Sequence, residues 1–119
     1  MKKKKKGKSS IYIPIYERTI LVTITKKVDK AMRLIDKGHE VDDLGSEALV
    51  VEDDEGYINL IIHPKAKINT ICHEAFHITS GVLEAAGMEL VSGSEEAYAY
   101  LIGWVGEKID EKLKKFNNN

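Results

Sequence analysis

The chain is predicted to fold as one α+β domain. Three features of its 119 residues point there. Short apolar stretches of strand character fill the first half, two long stretches of helical periodicity fill the second, and no repeat or linker interrupts the body. A chain of this length supports one hydrophobic core. The expected boundaries are a disordered lysine-rich leader at residues 1–10, a domain at 11–116 and a frayed tail at 117–119.

A first strand is expected near residues 11–15, with Pro14 marking an edge or a break. The next, residues 18–25, sets Ile20, Val22 and Ile24 on one face and Thr19, Thr23 and Thr25 on the other. Val28, Ala31, Met32 and Ile35 form the apolar stripe of a short helix over residues 27–37, with Gly38 as its stop. After a loop at 42–46, strands at 47–52 and 57–63 flank the turn sequence Asp53-Asp54-Glu55-Gly56, which predicts a hairpin. A long helix follows over 66–86, stopped by Gly87, and a last one over 94–115. The sheet is expected to be small, of three or so strands and mostly antiparallel, with both long helices packed on it.

Composition excludes several classes. Hydrophobic residues make up 43% and charged residues 31%, as in an ordinary globular domain. No apolar run approaches the roughly 18 residues of a membrane helix. The lysine-rich start lacks the apolar stretch of a secretory signal. A single cysteine, Cys72, rules out an internal disulfide framework and a CxxC zinc site, and a cytoplasmic location is expected. The net charge of −1 is unevenly spread. Six of the 18 basic side chains fall in residues 1–8, which hold no acid, so residues 9–119 carry 12 basic against 19 acidic groups, a net −7. An acidic body argues against a specific nucleic-acid face on the folded domain.

The fourth major segment contains His73-Glu74-Ala75-Phe76-His77, the pattern H-E-x-x-H on a predicted helix. Residues four apart lie on one face, one turn above each other. His73 and His77 therefore aim two imidazoles at one point, as two ligands of a zinc ion. Glu74 is rotated by about 100° from His73, so it does not share their vector but reaches a water beside the metal, where it serves as general base. The other side of that helix carries Ile68, Ile71, Cys72, Ala75, Thr79, Val82 and Ala86, and Cys72 is expected to be a buried thiol. Gly81, one turn past His77, is expected to mark a close approach of another element.

A third protein ligand is needed, with water in the fourth position. Position 80 is serine and position 83 leucine, so the extended H-E-x-x-H-x-x-G-x-x-H pattern is absent. Glu95 and Glu96 open the last helix, whose antiparallel return brings that opening toward the motif. Ser92-x-x-Glu95 reads as a capping box, which would occupy Glu95. Glu96 shares its face with Ala99, Tyr100 and Gly103, a mostly small surface suited to tight helix packing. Glu96 is favoured and Glu95 is the alternative.

His73-Glu74-x-x-His77 followed by Glu96 resembles the zinc core of the gluzincins, the thermolysin-like metallopeptidases. In size the chain is similar to their minimal phage and bacterial members, and Glu96-Ala97-Tyr98-Ala99-Tyr100 is similar to a helix of small phage zincin-like proteins. The resemblance covers roughly residues 18–113 in element order. It implies a zincin-like fold in a bacterial or phage-infected cell and one zinc per chain, held by His73, His77 and Glu96, with Glu74 as general base. A peptide or protein substrate would be aligned on the strand before the active helix, residues 57–63. Where larger members carry an aspartate four residues after the ligand glutamate, this chain has Tyr100. Tyr98, Tyr100 and His63 are the candidates for orienting a ligand or stabilising the oxyanion. The domain that walls the cleft in large members is missing.

His39 is expected to be exposed after a helix end, and Trp104, off the main stripe of the last helix, to be core or a contact with another chain. The expected activity is zinc-dependent peptide hydrolysis. The alternatives are a non-enzymatic zincin-fold binding module with a structural zinc and a protein partner, and an α+β interaction domain without metal.

Overall fold

A computed structural model describes residues 7–40 and 45–118. The elements run β1 (Lys8–Ile13), β2 (Arg18–Ile24), α1 (Val28–Ile35), β3 (Ala48–Glu52), β4 (Ile58–Ile62), α2 (Ile68–Ala85) and α3 (Glu95–Asn117). β1 begins inside the expected leader, so Lys8, Ser9 and Ser10 belong to the domain. The rest of that leader through residue 6, part of the expected loop at 42–46, and residue 119 lie outside the described residues.

The sheet has four strands, one more than expected, in the order β1-β2-β4-β3. It is mixed. β1 pairs antiparallel with β2, and β3 with β4, while β2 and β4 run parallel with Ile20 opposite Ile58. A parallel pair needs a crossover, and α1 and β3 lie between β2 and β4 in the chain. The β3–β4 hairpin forms as expected. Asp53 Oδ1 accepts the N–H groups of Glu55 and Tyr57, Oδ2 accepts Asn59 Nδ2–H, and Gly56 takes a φ of 85°.

Periodicity places the core. Ile20, Val22, Leu60 and Ile62 meet Ile78 and Val82 of α2 and Val105 and Ile109 of α3 on one face of the sheet. On the other face Ile61 packs with Val28 and Met32 of α1. Every residue of β4 is buried because both faces are covered and both edges are paired. Such an aliphatic side chain contributes roughly 1.5–3 kcal/mol when fully buried.

Gly87 ends α2 as its sequence predicts. With a φ of 83° it lets Met88 N–H bond Leu83 O at 2.8 Å and its own N–H bond Glu84 O at 2.9 Å, which closes the last carbonyls of the helix. At the start of α2, Glu47 Oε1 accepts Lys67 N–H at 2.6 Å and ties the helix to the beginning of β3. Among the described residues no helix is long and apolar enough to cross a membrane.

Candidate metal centre

The local sequence of α2 decides which side chains leave the core. Its buried side is Ile71, Glu74, Ala75, Ile78, Thr79, Val82 and Leu83. This stripe is rotated from the expected one. Ile68, Cys72 and Ala86 are exposed, while Ile78 and Leu83 are buried. The Cys72 thiol is thus exposed rather than structural. His73 and His77 stand on the outward face, and Glu74 sits at the margin of the buried one.

The two imidazoles converge. Their Nε2 atoms are 3.1 Å apart, and the rings meet edge to face with centroids 4.7 Å apart. In tetrahedral zinc coordination, Zn–N bonds of about 2.0–2.1 Å place two nitrogen ligands about 3.3 Å apart. The pair therefore fits two corners of such a site.

Glu74 is only 6% exposed. Burial pushes its carboxyl up from the ordinary glutamate value, and the nearby His73 and His77 pull in the other direction. A carboxylate raised by desolvation beside two imidazoles has the character of a general base. Ala75, one residue on, faces α3: a Cβ placed on Gly106 would lie 3.9 Å from Ala75 Cβ. Glu74, about 100° around the helix, is on the flank of the buried stripe away from α3. α2 packs against β3 as well.

The third ligand is where expectation and structure part. Among the described residues no group of three His, Cys, Asp or Glu side chains is gathered for a metal. The Ala75–Gly106 contact sets the antiparallel register of the helix pair. Glu96 precedes Gly106 by ten residues, which places it about 12 Å beyond His77 along the axis at 1.5 Å per residue. Tyr98 corroborates this register: its hydroxyl donates to Met88 O at 2.9 Å. Burial, with smaller effects of Glu84 and Glu89, raises its pKa. Glu96 is exposed, and so are Ala99, Tyr100 and Gly103 on its face, so no helix packs there. Gly81 likewise has open space around it, and the close approach is at Gly106. The capping box is not formed either. Ser94, not Ser92, is the N-cap residue of α3, and its hydroxyl makes no cap bond to the helix but donates to Glu89 O and accepts Val91 N–H in the preceding loop; Glu95 is exposed and not held by Ser92.

The three candidates for oxyanion or ligand support are also placed apart. Tyr98 is a core residue, 2% exposed. Tyr100 is 78% exposed on the outer side of α3. His63 follows β4, and its Nδ1 accepts Lys65 N–H at 3.0 Å. His39 is not free in solvent as expected: its Nε2 lies 2.7 Å from Asp29 Oδ1, and Asp29 also accepts from the Ser46 N–H and hydroxyl.

The substrate-aligning strand must be reassigned. Residues 57–63 contain β4, which is interior and has no free edge. Among the described residues, the free edge beside α2 belongs to β3. Glu47 O accepts His63 N–H and Asp53 N–H donates to Tyr57 O, so odd-numbered residues bond to β4. The backbone groups of Ala48, Val50 and Glu52 therefore face outward. Sequence reasoning missed both Glu47 and this edge. Neither has a local signal, because both follow from the pairing of β3 with an element downstream of it.

Comparison of the chain with protein-family models, with curated proteins and with solved structures returns no significant match.

Proposed function

We propose that this protein is a small zinc-dependent metallopeptidase. His73 and His77 supply two zinc ligands, Glu74 is the general base, and Glu96 is the third ligand with Glu95 as the alternative. The observation that carries the reading is the 3.1 Å Nε2 pair beside a buried carboxylate on one helix. A structural histidine pair does not require a desolvated glutamate next to it, whereas peptide hydrolysis does.

Zinc bound there would supply a water of lowered pKa, near 7, and a Lewis-acid contact to the scissile carbonyl. Glu74 would accept a proton from that water and pass it to the leaving amine. Burial raises its hold on that proton above that of an ordinary glutamate. An extended substrate pairs with the outward groups of Ala48, Val50 and Glu52 on β3, which sets the scissile bond beside α2. Recruiting Glu96 or Glu95 requires the start of α3 to move toward His77.

A second reading, the non-enzymatic binding module with structural zinc, is favoured by one observation. Tyr98, Tyr100 and His63 do not converge on the histidine pair, which leaves no oxyanion donor among the side chains expected to provide one. Elemental mass spectrometry combined with a quenched-peptide assay separates the two. The peptidase reading expects one zinc per chain, lost in His73→Ala and in either Glu96→Ala or Glu95→Ala, with hydrolysis abolished in Glu74→Gln. Zinc without hydrolysis would leave the binding module, and no zinc after reconstitution would sink both.

A further inference from the structure

The other open edge of the sheet carries a site that neither the motif nor the proposed activity uses. β1 stands at the end of the strand order, and among the described residues nothing pairs with its outer side. Gly7 O accepts Ile24 N–H. Alternation along the antiparallel pair then turns the backbone groups of Lys8, Ser10 and Tyr12 away from β2. Beside this edge runs α3. Between them lies a cleft of about 450 Å³ lined by Ser10 and Tyr12 from the strand and by Trp104, Lys108, Lys112 and Lys115, among others, from the helix.

The chemistry of the cleft is specific. Trp104, Lys108, Lys112 and Lys115 follow at helical spacing, so one face of α3 presents an aromatic plate and three ammonium groups. Lys108 Nζ sits 5.4 Å from the centre of the Trp104 ring. Glu111 is the one acid among the lining residues, and it pairs loosely with Lys108 at 3.6 Å. Lys112 is half-buried and next to Lys115, and both effects push its pKa down. The surplus is two positive charges on a body that is otherwise acidic. The run of five lysines at positions 2–6 leads directly into β1 in the sequence.

We propose that the cleft between β1 and α3 binds an extended acidic segment of a partner protein, which adds a strand to the outer edge of β1 and sets its carboxylates on Lys108, Lys112 and Lys115. A peptide fits better than a nucleic acid because the unpaired donors and acceptors of Lys8, Ser10 and Tyr12 match a β-strand's own period. A segment alternating acidic and apolar residues directs the acidic set toward the lysines on the α3 side and lays the apolar set beside exposed Tyr12 on the opposite face of the sheet. The site is independent of the histidine pair and stands whether or not that pair holds zinc.

The test uses the full chain and a fluorescein-labelled ten-residue peptide of alternating glutamate and valine, followed by anisotropy. Binding is expected in low salt and should weaken by about tenfold or more in 0.5 M salt, where the screening length falls to a few ångströms. The double variant Lys112→Glu, Lys115→Glu should weaken it by at least about tenfold through like-charge contact. Ser10→Pro removes an outward N–H without touching the β2 ladder or any lysine, and it should weaken binding severalfold. Slowed amide exchange at Ser10 and Tyr12 in the parent–peptide complex reads the same contact without any substitution. The proposal is overturned if a lysine–valine peptide binds equally well. It is also overturned if oligo-dT binds as tightly and peptide leaves the Ser10 and Tyr12 amides unprotected, or if the edge proves to be occupied by a second copy of the chain in sedimentation.

Discussion

Nε2 of His73 and Nε2 of His77 lie 3.1 Å apart across one turn of α2, within a few tenths of an ångström of the spacing two imidazoles adopt on one zinc ion. Two partly solvated rings pointing at one spot gain little from each other in water. They gain much from a shared cation. Zinc should therefore stabilise the folded chain by about 4 kcal/mol when present at a thousand times its Kd. Scanning calorimetry should show Tm rising with zinc and falling again with chelator in the parent. His73→Ala and His77→Ala should show no rise. An unchanged Tm in the parent would remove the metal from the reading.

Glu74→Gln separates chemistry from binding. Glutamine has the shape of the glutamate and cannot accept the water's proton. Turnover of a quenched peptide should fall by about 10²–10⁴-fold, while zinc content and helix content stay at parental values. The variant should be no less stable than the parent, because a buried charge is replaced by a neutral amide. Equal turnover in the two proteins would dismiss Glu74 as the base.

The β3 edge makes a separate prediction about substrate. Val50 turns its N–H outward, so Val50→Pro should keep the β4 ladder intact and remove one bond to an extended peptide. KM should rise severalfold with kcat little changed. A parental KM would move the substrate off this edge.

What the sequence discloses and what it hides follow from range. The helix carrying His73 and His77, its Gly87 stop and the Asp53–Gly56 turn are set by residues within one or two turns of each other, so pattern alone locates them. The centre of the buried stripe on α2 is not local. It is fixed by how β3, β4 and α3 surround the helix, and this turns Cys72 and Ile68 out while drawing Ile78 and Leu83 in. The third ligand depends on the sliding register of α2 on α3, which the Ala75–Gly106 contact sets and no periodicity encodes. His39 is hidden for the same reason, since its partner Asp29 and the shared Ser46 come together only when β3 passes α1. The lysine row on α3 is legible in the sequence, but it becomes a cleft wall only once β1 lies beside it.

Asp29 gives the fold an acid-sensitive tie between α1 and the segment leading into β3. The bond to His39 and the bonds from Ser46 hold its pKa below the ordinary aspartate value. A carboxylate with a depressed folded pKa contributes stability above its unfolded value, near 3.9, and loses it as pH falls through the folded one. Denaturant midpoints measured from pH 6 down to pH 2 should fall in the parent across that window. Asp29→Asn should start lower at pH 6 and fall less steeply. Parallel curves for the two proteins would show that Asp29 carries no such linkage.

Thr79 supplies the last test, and it concerns stability alone. The residue is fully buried on α2, and among the described residues its hydroxyl has no hydrogen-bond partner. The unfolded chain satisfies that hydroxyl with water, so folding forfeits a bond and recovers nothing. Valine has nearly the same shape and carries no polar atom. Thr79→Val should therefore raise stability by about 1 kcal/mol, a Tm increase of about 4 °C for a chain of this size. Zinc content and turnover should not change, because the hydroxyl lies on the buried side of α2 while His73 and His77 face outward. A loss of stability in this variant would mean that the hydroxyl is bonded after all, through a buried water or a rotated side chain, and a loss of turnover at unchanged stability would tie Thr79 to the histidine pair.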